Sequence, residues 1–306
     1  MASSHSSPSS PDPSGLSVAL PTPFREDGSP NLEVLARHVE WQIREGVSVL
    51  MPCGTTGEGS TLSADEHESV VRCCVEAAAG RVPVYVGVGS SATRVAMDLS
   101  RRAAGAGAHG ILCGTPPYNR PSQRGLLAHF RAVADAGSVP VVIYNIPSRT
   151  GCTILPETIL ELAEDTPFVG VKESTGQLDS VMALIASRPE GFRVLAGDDW
   201  LALPILAAGG DGLVSVTANQ IPSDMARLVE ASRQGLMAEA REIHYRLLPL
   251  FRANFVDSNP VPLKASLALL GRMDERVRLP LVRLAPAQRE VLETALRDVG
   301  ILTWET

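Results

Sequence analysis

Eight short apolar runs recur along the chain, and each one ends in small or polar residues. In chain order they read LSVALPTPF, VSVLMPCGTTGE, VPVYVGVGSS, HGILCGTPPYN, VPVVIYNIPSRTG, FVGVKESTG, RVLAGDD and GLVSVTAN. Short runs that stay apolar, without polar alternation, predict strands that are buried on both faces of a sheet. This repeated pattern limits the choice of folds more than any other feature of the sequence.

Segments with helical periodicity separate these runs, for example NLEVLARHVEWQIREG and DEHESVVRCCVEAAAG. The second segment follows Ser63, and Glu66 stands three residues after that serine, which is the pattern of a capping box. Buried strands that alternate with helices imply a parallel sheet covered by helices on both faces. Eight such units predict an α/β fold of the (β/α)8 TIM-barrel type over residues 14–235.

The two ends of the chain have a different character. After about residue 235 only helical patterns remain, namely AEAREIHYRLLPLFRANF, PLKASLALLGRM and APAQREVLETALRDVG, so we predict a C-terminal helical extension over residues 236–306. Residues 1–13, MASSHSSPSSPDP, lack the basic and apolar regions of a secretory signal. Their Ser/Pro-rich composition predicts a disordered tail.

A doubly wound open sheet is the competing architecture for alternating strands and helices. Its nucleotide-binding forms carry a glycine fingerprint directly after the first strand. Here PTPFREDG follows the first strand, so the sequence favours the barrel.

Charge and cysteine content restrict the partners and the compartment. The net charge is −7, which argues against a nucleic-acid partner or an anionic membrane, because both require a basic face. The five cysteines are odd in number and show no C-x-x-C spacing, so they predict reduced thiols and a cytoplasmic protein.

Lysine is rare in this chain, since it occurs only at Lys172 and Lys264 while the other cationic side chains are arginines. Lys172 ends the sixth apolar run, and barrel enzymes place their chemistry at the C-terminal ends of the strands. Polar residues that follow other strands are predicted to converge there with it: Thr55, Thr56, Tyr118, Tyr144 and Asp198.

A lysine at the mouth of a barrel has a chemical use that arginine lacks, because its amine can lose a proton. An ordinary lysine has a pKa of about 10.4, and burial among apolar side chains disfavours the ammonium form. The neutral amine attacks a ketone to give a Schiff base, which makes the neighbouring carbon acidic. The alternative is a structural ion pair with a barrel carboxylate, such as Glu173 or a neighbour, but strand alternation points Glu173 away from Lys172.

Six motifs together carry a resemblance to a known family: GTTGE, YNIPSRTG, VKESTG, GDD, GLVSVTAN and NPVPLK. In this order, from about Leu16 to beyond Lys264, the chain resembles the dihydrodipicolinate synthase family, also called 4-hydroxy-tetrahydrodipicolinate synthase. That family belongs to the pyruvate-dependent class I aldolases, which include N-acetylneuraminate lyase. The resemblance implies condensation of pyruvate with L-aspartate 4-semialdehyde on the diaminopimelate route to lysine. It also implies no cofactor and no metal beyond the covalent Schiff base, and a homotetramer built as a dimer of dimers.

The resemblance also assigns catalytic roles to four residues. Lys172 matches the Schiff-base lysine, and Tyr144 matches the tyrosine that donates and accepts protons beside it. Thr55 and Tyr118 match the relay partners of that tyrosine. In the family, the residue equivalent to Tyr118 reaches into the site of a neighbouring subunit, so a dimer is the smallest complete unit.

Four further positions match substrate-binding residues of the family. Thr56, with the backbone amides of GTTGE, resembles the clamp for the pyruvate carboxylate. Arg149 matches the arginine that holds the carboxylate of the second substrate. Gly197 and Val214 match backbone positions that line the pocket near the lysine.

Each of these residues also has a plainer interpretation. Tyr144 fits a strand tyrosine with a solvated hydroxyl, and Arg149 fits a solvated loop cation. Asp198 and Asp199 fit turn or cap residues of a helix that starts near Trp200. Thr55 and Thr56 fit helix-capping positions, although they lie far upstream of the helix, and Lys264 fits a structural or interface role.

The sequence departs from the family pattern where lysine-inhibited members bind their inhibitor. Pro117 replaces a tyrosine that precedes the relay tyrosine in many relatives. The other matching positions are Gly59, Ser60, Ala64, His67, Ser91 and Val95, of which only His67 is retained. An apolar Val95 does not pair with a ligand ammonium group, so we predict weak or absent feedback inhibition by lysine.

Three other functions remain open from the sequence. A lyase or aldolase for sugar acids, 2-keto-3-deoxy acids or 4-hydroxy-2-oxoglutarate would keep Lys172 and Tyr144 but usually lacks an arginine at position 149. A metal-dependent aldolase needs clustered ligands, and the histidines show no such spacing. A non-catalytic sensor of small molecules would be favoured by a broken relay, and here every relay position is filled.

Overall fold

The computed structural model describes residues 11–303, so the first ten residues of the predicted tail lie outside the described residues. Within that range eight parallel strands form one sheet in the order β2-β1-β8-β7-β6-β5-β4-β3. The strands are β1 Gly15–Ala19, β2 Val49–Met51, β3 Tyr85–Gly87, β4 Gly110–Gly114, β5 Val141–Asn145, β6 Phe168–Glu173, β7 Arg193–Ala196 and β8 Gly212–Ser215. All eight predicted strands are present, each as a core shorter than its apolar run.

The sheet closes into a barrel between β2 and β3. A parallel bridge joins Leu50 to Val84, and the Gly87 amide donates to the Pro52 carbonyl at 2.9 Å. A Cβ atom at Gly87 would lie 2.5 Å from the Cys53 carbonyl oxygen, so this close approach requires glycine. The predicted TIM barrel is therefore confirmed.

Helices cover the outside of the barrel and continue beyond it. Within residues 11–303 they are α1 Leu32–Arg44, α2 Ala64–Ala78, α3 Thr93–Gly105, α4 Gln123–Gly137, α5 Pro147–Thr150, α6 Pro156–Ala163, α7 Leu178–Ser187, α8 Ala202–Ala207, α9 Pro222–Arg233, α10 Met237–Ala253, α11 Val261–Leu269 and α12 Pro286–Asp298. The predicted C-terminal helices correspond to α10, α11 and α12. In the described part of the chain, no helix combines the length and the apolar character needed to cross a membrane.

The capping box at the start of α2 forms as the sequence predicts. The Ser63 hydroxyl accepts a hydrogen bond from the Glu66 amide at 3.2 Å, and the Glu66 carboxylate accepts one from the Ser63 amide at 2.8 Å. Two amides at the helix N-terminus are thereby satisfied, which fixes where the helix begins after the β2 loop.

Strand alternation divides the apolar core into two layers. On β5, Val141 and Ile143 face the surrounding helices, whereas Val142 and Tyr144 face the barrel interior. The interior cluster consists of Ala19, Val49, Met51, Tyr85, Leu112, Val142, Tyr144, Leu195 and Val214. This packed interior supports the side chains that stand at the C-terminal mouth.

The last residues of the predicted tail contact the N-terminal end of the barrel. The Tyr85 hydroxyl donates a hydrogen bond to the carbonyl of Pro11, and Asp12 pairs with Arg193 at 3.0 Å. Pro13 is buried. Residues 11–13 therefore cover the end of the barrel that lies opposite the predicted site.

Candidate active site

Lys172 and Tyr144 lie side by side on neighbouring strands at the barrel mouth. Their Cα atoms are partners in the register of β5 and β6, and the Lys172 Nζ lies 4.1 Å from the centroid of the Tyr144 ring. Only 6% of Lys172 is exposed. The amine therefore stands against an aromatic face, in a place that largely excludes water.

The Lys172 side chain opens into a small cavity, which we call the lysine pocket. The strand ends and the segment between α10 and α11 supply its lining: Ala19, Met51, Gly54, Thr55, Thr56, Leu112, Tyr144, Ile146, Arg149, Lys172, Gly197, Asp198, Val216, Phe255 and Asn259. Six of the eight predicted site residues therefore meet in one cavity.

A second cavity of about 350 Å³ adjoins the lysine pocket, and we call it the antechamber. The two cavities share Thr55, Tyr144, Ile146, Arg149 and Asn259 among their lining residues. Lys172 and Asp198 line only the lysine pocket. The Lys172 amine therefore lies in the inner of two adjoining cavities. Arg149 and Asn259 lie where the lysine pocket meets the antechamber.

Thr56 is held in place by the segment that follows α10. Its hydroxyl oxygen accepts a hydrogen bond from the Asn259 side-chain amide at 3.0 Å, and only 2% of Thr56 is exposed. The hydroxyl proton remains available to a ligand, because the oxygen is the acceptor in this contact. Thr55 is half-buried and lines both cavities beside Tyr144.

A buried ion pair anchors the loop that carries these threonines. The Lys264 Nζ lies 2.5 Å from a carboxylate oxygen of Glu58 and donates to the Arg276 carbonyl at 2.7 Å. The other Glu58 oxygen accepts from the Arg278 amide at 2.9 Å. Lys264 is fully buried, and burial lowers its pKa to about 8 although the negative charge of Glu58 opposes this shift. Lys264 is thus structural within a single chain, one of the two roles predicted for it.

Arg149 lies on the short helix α5, directly after the end of β5. Its guanidinium donates from Nη2 to the Asn259 carbonyl at 3.1 Å and lines both cavities. This contact directs a planar fork of donors toward the site, an arrangement suited to binding a carboxylate. Arg149 is exposed, as the interpretation of a solvated loop cation expects, but this contact holds its guanidinium at the walls of both cavities.

Gly197 allows the end of β7 to approach β6 closely. A Cβ atom at this position would lie 1.9 Å from the Ser174 Oγ and 2.9 Å from the Glu173 carbonyl oxygen. Any larger residue would push β7 away from the strand that carries Lys172. The glycine therefore sets the width of the lysine pocket at this edge.

Two predicted site residues do not line either cavity. Val214 is fully buried in the interior cluster, and Val216 lines the lysine pocket instead. Tyr118 is 91% exposed and has a φ of 74°. An exposed tyrosine in the left-handed region of φ is unusual, and strained backbone positions of this kind cluster at functional sites.

Neither aspartate after β7 caps the helix near Trp200 through its side chain. Asp199 is buried and accepts hydrogen bonds from the amides of Val216 and Thr217, which tie the end of β7 to the end of β8. Asp198 lines the lysine pocket, and burial raises its pKa to about 6 while the charge of Lys172 opposes this shift. Asp198 is therefore a buried ionisable group beside Lys172 in the lysine pocket.

Glu173 points away from the lysine pocket, as strand alternation predicts. Its carboxylate accepts hydrogen bonds from the Asn145 side-chain amide at 3.0 Å and from the Thr175 amide at 2.8 Å. Burial raises its pKa. These contacts hold together the ends of β5 and β6, which carry Tyr144 and Lys172.

Asn259 is the site residue that sequence reasoning missed, although it begins the NPVPLK motif. Its contact with Thr56 spans 203 residues of the chain, and no local pattern predicts such a contact. Phe255, four residues earlier, joins the same pocket wall. Within residues 11–303, no group of three or more His, Cys, Asp or Glu side chains is arranged to hold a metal ion.

The chain resembles known proteins over nearly its whole length. The model of the Dihydrodipicolinate synthetase family matches residues 12–299. A 4-hydroxy-tetrahydrodipicolinate synthase of Nitratidesulfovibrio vulgaris (strain DP4) is 47% identical over 289 residues, which cover 94% of this chain and 99% of that protein.

Solved structures give the same result. The crystal structure of dihydrodipicolinate synthase from Aquifex aeolicus matches with a TM-score of 0.92 and 40% identity, covering 94% of this chain and 98% of that one. A monomeric dihydrodipicolinate synthase variant matches with a TM-score of 0.92 and 37% identity, covering 94% and 97% of the two chains. By its sequence and its fold, the chain belongs to the dihydrodipicolinate synthetase family.

Proposed function

We propose that this protein is a 4-hydroxy-tetrahydrodipicolinate synthase, which condenses pyruvate with L-aspartate 4-semialdehyde through a Schiff base on Lys172. One observation carries the proposal: a buried amine lies 4.1 Å from the centroid of the Tyr144 ring, in a cavity that Thr56 and Arg149 also line. The substrates carry two carboxylates in total, and these two side chains are suited to bind one each.

The first half of the reaction uses the deep end of the site. The Lys172 amine attacks the ketone carbon of pyruvate, and loss of one water gives the imine. Tyr144 is placed to move protons at this carbon, because its ring lies against the amine. The Thr56 hydroxyl donates a hydrogen bond to the pyruvate carboxylate, and transfer of a methyl proton to the relay of Tyr144 then yields the enamine.

The second half uses the junction with the antechamber. Arg149 holds the carboxylate of the semialdehyde, so that the aldehyde carbon faces the enamine. The enamine carbon forms the new bond and the aldehyde oxygen takes a proton. The ammonium group of the second substrate then loses a proton, and the resulting amine attacks the imine carbon, which closes the ring and releases the Lys172 amine.

The proposed assembly is a homotetramer with a dimer as its smallest active unit. The strongest support is Tyr118, which is 91% exposed and lies outside both cavities of its own chain. In the proposed dimer its hydroxyl completes the proton relay of Thr55 and Tyr144 in the neighbouring subunit. We further propose a cytoplasmic enzyme that needs no cofactor or metal, with a catalytic barrel over residues 14–235 and a helical extension over residues 236–306.

Trapping the imine tests the chemistry directly. The protein is incubated with pyruvate, reduced with borohydride, digested and mapped by mass spectrometry. We expect one adduct, on the peptide that contains Lys172, and none in Lys172→Ala. An adduct on Lys264 or no adduct at all would refute the proposal.

A second assay separates this function from that of other pyruvate-dependent aldolases. Turnover is compared with L-aspartate 4-semialdehyde and with 2-keto-3-deoxy sugar acids as substrates. Arg149 is placed to bind the carboxylate of a short substrate. The semialdehyde is therefore expected to react much faster than the sugar acids. If the sugar acids are cleaved faster while the pyruvate adduct still forms on Lys172, the protein is instead a sugar-acid aldolase.

A further inference from the structure

Asn259 has a side-chain oxygen with no hydrogen-bond partner among residues 11–303. The residue is only 5% exposed, and its Oδ1 is fully buried. Leaving such an acceptor unpaired is unfavourable, so a buried acceptor without a partner at a cavity wall points to a ligand that supplies the donor. Asn259 lines both the lysine pocket and the antechamber.

Two other polar groups of Asn259 are already used. Its side-chain Nδ2 donates to the Thr56 hydroxyl at 3.0 Å, and its backbone carbonyl accepts from the Arg149 guanidinium at 3.1 Å. The residue therefore stands between the two groups that are proposed to bind the substrate carboxylates. Its free Oδ1 is available to a third group of the bound substrates.

The chemistry of the substrates identifies that third group. Pyruvate has no hydrogen-bond donor, whereas L-aspartate 4-semialdehyde has an ammonium group on the carbon that carries its carboxylate. Receptors for two groups on one carbon have to be neighbours, and Arg149 and Asn259 are hydrogen-bonded to each other. An amide oxygen is a suitable acceptor for an ammonium donor.

We propose that Asn259 recognises the ammonium group of the second substrate through its Oδ1 and thereby selects amino aldehydes over aldehydes without the amino group. The inference rests on the proposed function and adds a specificity determinant to it. The same side chain orients the Thr56 hydroxyl toward pyruvate, so one residue serves both substrates.

Asp198 is the competing acceptor for the ammonium group, because it is a carboxylate in the same site. It lines the lysine pocket beside Lys172 but does not line the antechamber. Arg149, which fixes the carboxylate end of the semialdehyde, lines both cavities and contacts Asn259 directly. The position of Arg149 therefore favours Asn259 as the receptor for the neighbouring ammonium group.

The test compares two aldehydes of equal length at saturating pyruvate. The KM for L-aspartate 4-semialdehyde is measured, together with the inhibition constant of succinic semialdehyde, which lacks the amino group. In Asn259→Ala the KM for the amino aldehyde is expected to rise about ten- to a hundredfold, the loss typical of a hydrogen bond to a charged group. The inhibition constant of succinic semialdehyde is expected to stay within about threefold, because the Arg149 contact uses the backbone carbonyl.

Asn259→Asp separates the two roles of the side chain. The carboxylate keeps an acceptor for the ammonium group, so the KM for the amino aldehyde stays near the wild-type value. It loses the donor to Thr56, so the KM for pyruvate rises about tenfold. Asn254→Ala is the matched control, since this buried asparagine bonds to Thr217 and Gln220 outside both cavities and is expected to leave the ratio of the two aldehyde constants unchanged.

The outcomes separate this inference from the proposed function. Equal weakening of both aldehydes in Asn259→Ala, or no weakening of either, would overturn the role of Asn259 while the Lys172 adduct still forms. Absence of the adduct or of semialdehyde turnover in the wild-type protein would instead overturn the proposed function.

Discussion

The Lys172 amine lies 4.1 Å from the centroid of the Tyr144 ring, and the two residues are direct partners in the register of β5 and β6. The ring and the hydroxyl of Tyr144 therefore have separable roles. In Tyr144→Phe the ring that packs against the amine remains, so the borohydride-trapped adduct with pyruvate is expected to form. The proton-transfer group is lost, so kcat is expected to fall about 10²- to 10⁴-fold.

Steady-state kinetics and the quantity of trapped adduct check this prediction together. A Phe variant with near wild-type kcat would remove Tyr144 from the proton-transfer role. The Lys172→Ala variant supplies the baseline for both measurements.

Tyr118 is predicted to work in the site of a neighbouring subunit, because it is 91% exposed and lies outside both cavities of its own chain. Tyr118→Ala and Lys172→Ala are each expected to be nearly inactive alone. Unfolded and refolded together, they form mixed dimers in which one of the two sites is complete. Activity is then expected to recover to about a quarter of the wild-type value per chain.

Activity measured before and after co-refolding decides this point. Failure of the mixture to recover, with both variants refolding normally on their own, would place the action of Tyr118 within its own chain.

The Asp198 carboxyl is predicted to make stability depend on pH in a recognisable direction. Burial raises its folded pKa to about 6 from an ordinary value of 3.8, so the folded state binds the proton more tightly than the unfolded state. This contribution therefore destabilises the fold as pH rises through the window from about 4 to about 6. Asp198→Asn removes the penalty and is expected to raise the free energy of unfolding at pH 7 by up to about 3 kcal/mol.

Urea unfolding at several pH values between 4 and 7 measures the effect. The difference between variant and wild type should grow with pH and level off above pH 6. A difference that is constant over this range would contradict the assignment.

The Lys264–Glu58 ion pair is predicted to be a major contributor to stability. Lys264→Met leaves the buried Glu58 carboxylate without its cation, and the expected loss is about 3–5 kcal/mol in the free energy of unfolding. The double variant Glu58→Gln/Lys264→Met removes both charges and is expected to regain part of this loss.

Arg37→Met supplies the control for the ion-pair experiment. Arg37 pairs with Glu33 on the surface, where the two side chains are 63% and 74% exposed, so its loss is expected to cost less than about 1 kcal/mol. Equal losses in the free energy of unfolding for Lys264→Met and Arg37→Met would show that the buried pair stabilises the fold no more than the surface pair does.

Feedback inhibition by lysine is predicted to be weak or absent. Val95 is partly exposed at a position where it offers no charge to a ligand ammonium group. His67 is the one retained position of the inhibitor site. It is 1% exposed, and its imidazole Nε2 is already hydrogen-bonded to the Gly87 carbonyl at 2.8 Å. Initial rates measured with increasing L-lysine test this prediction, and inhibition by micromolar lysine would contradict it.

The sequence predicts the barrel well because the signals for its units are local. Each apolar run ends where its strand meets the mouth, so Lys172 and Tyr144 were placed together from strand position alone. The capping box of Ser63 and Glu66 is local as well, and it forms as expected.

Contacts between distant segments could not be predicted in this way. Asn259 reaches Thr56 across most of the chain, and Lys264 reaches Glu58 across 206 residues. Asp198 is different, because its position after the seventh apolar run predicts its place at the mouth, and it does line the lysine pocket. Resemblance to a family supplied Arg149, for which the residue pattern alone favours a solvated cation.

The closure of the barrel between β2 and β3 affects where the sheet opens locally. This edge is joined by the bridge from Leu50 to Val84, with the hydrogen bond from Leu50 to Pro83, and by the hydrogen bond from Gly87 to Pro52. In contrast, β4 and β5 are joined by four register pairs and β5 and β6 by five. Local opening at this edge breaks few hydrogen bonds. Its backbone amides are therefore expected to exchange with deuterium before those of β4, β5 and β6. Thr55 and Thr56 lie in the loop that follows β2, so the edge of the barrel that opens most readily lies next to two residues of the proposed site.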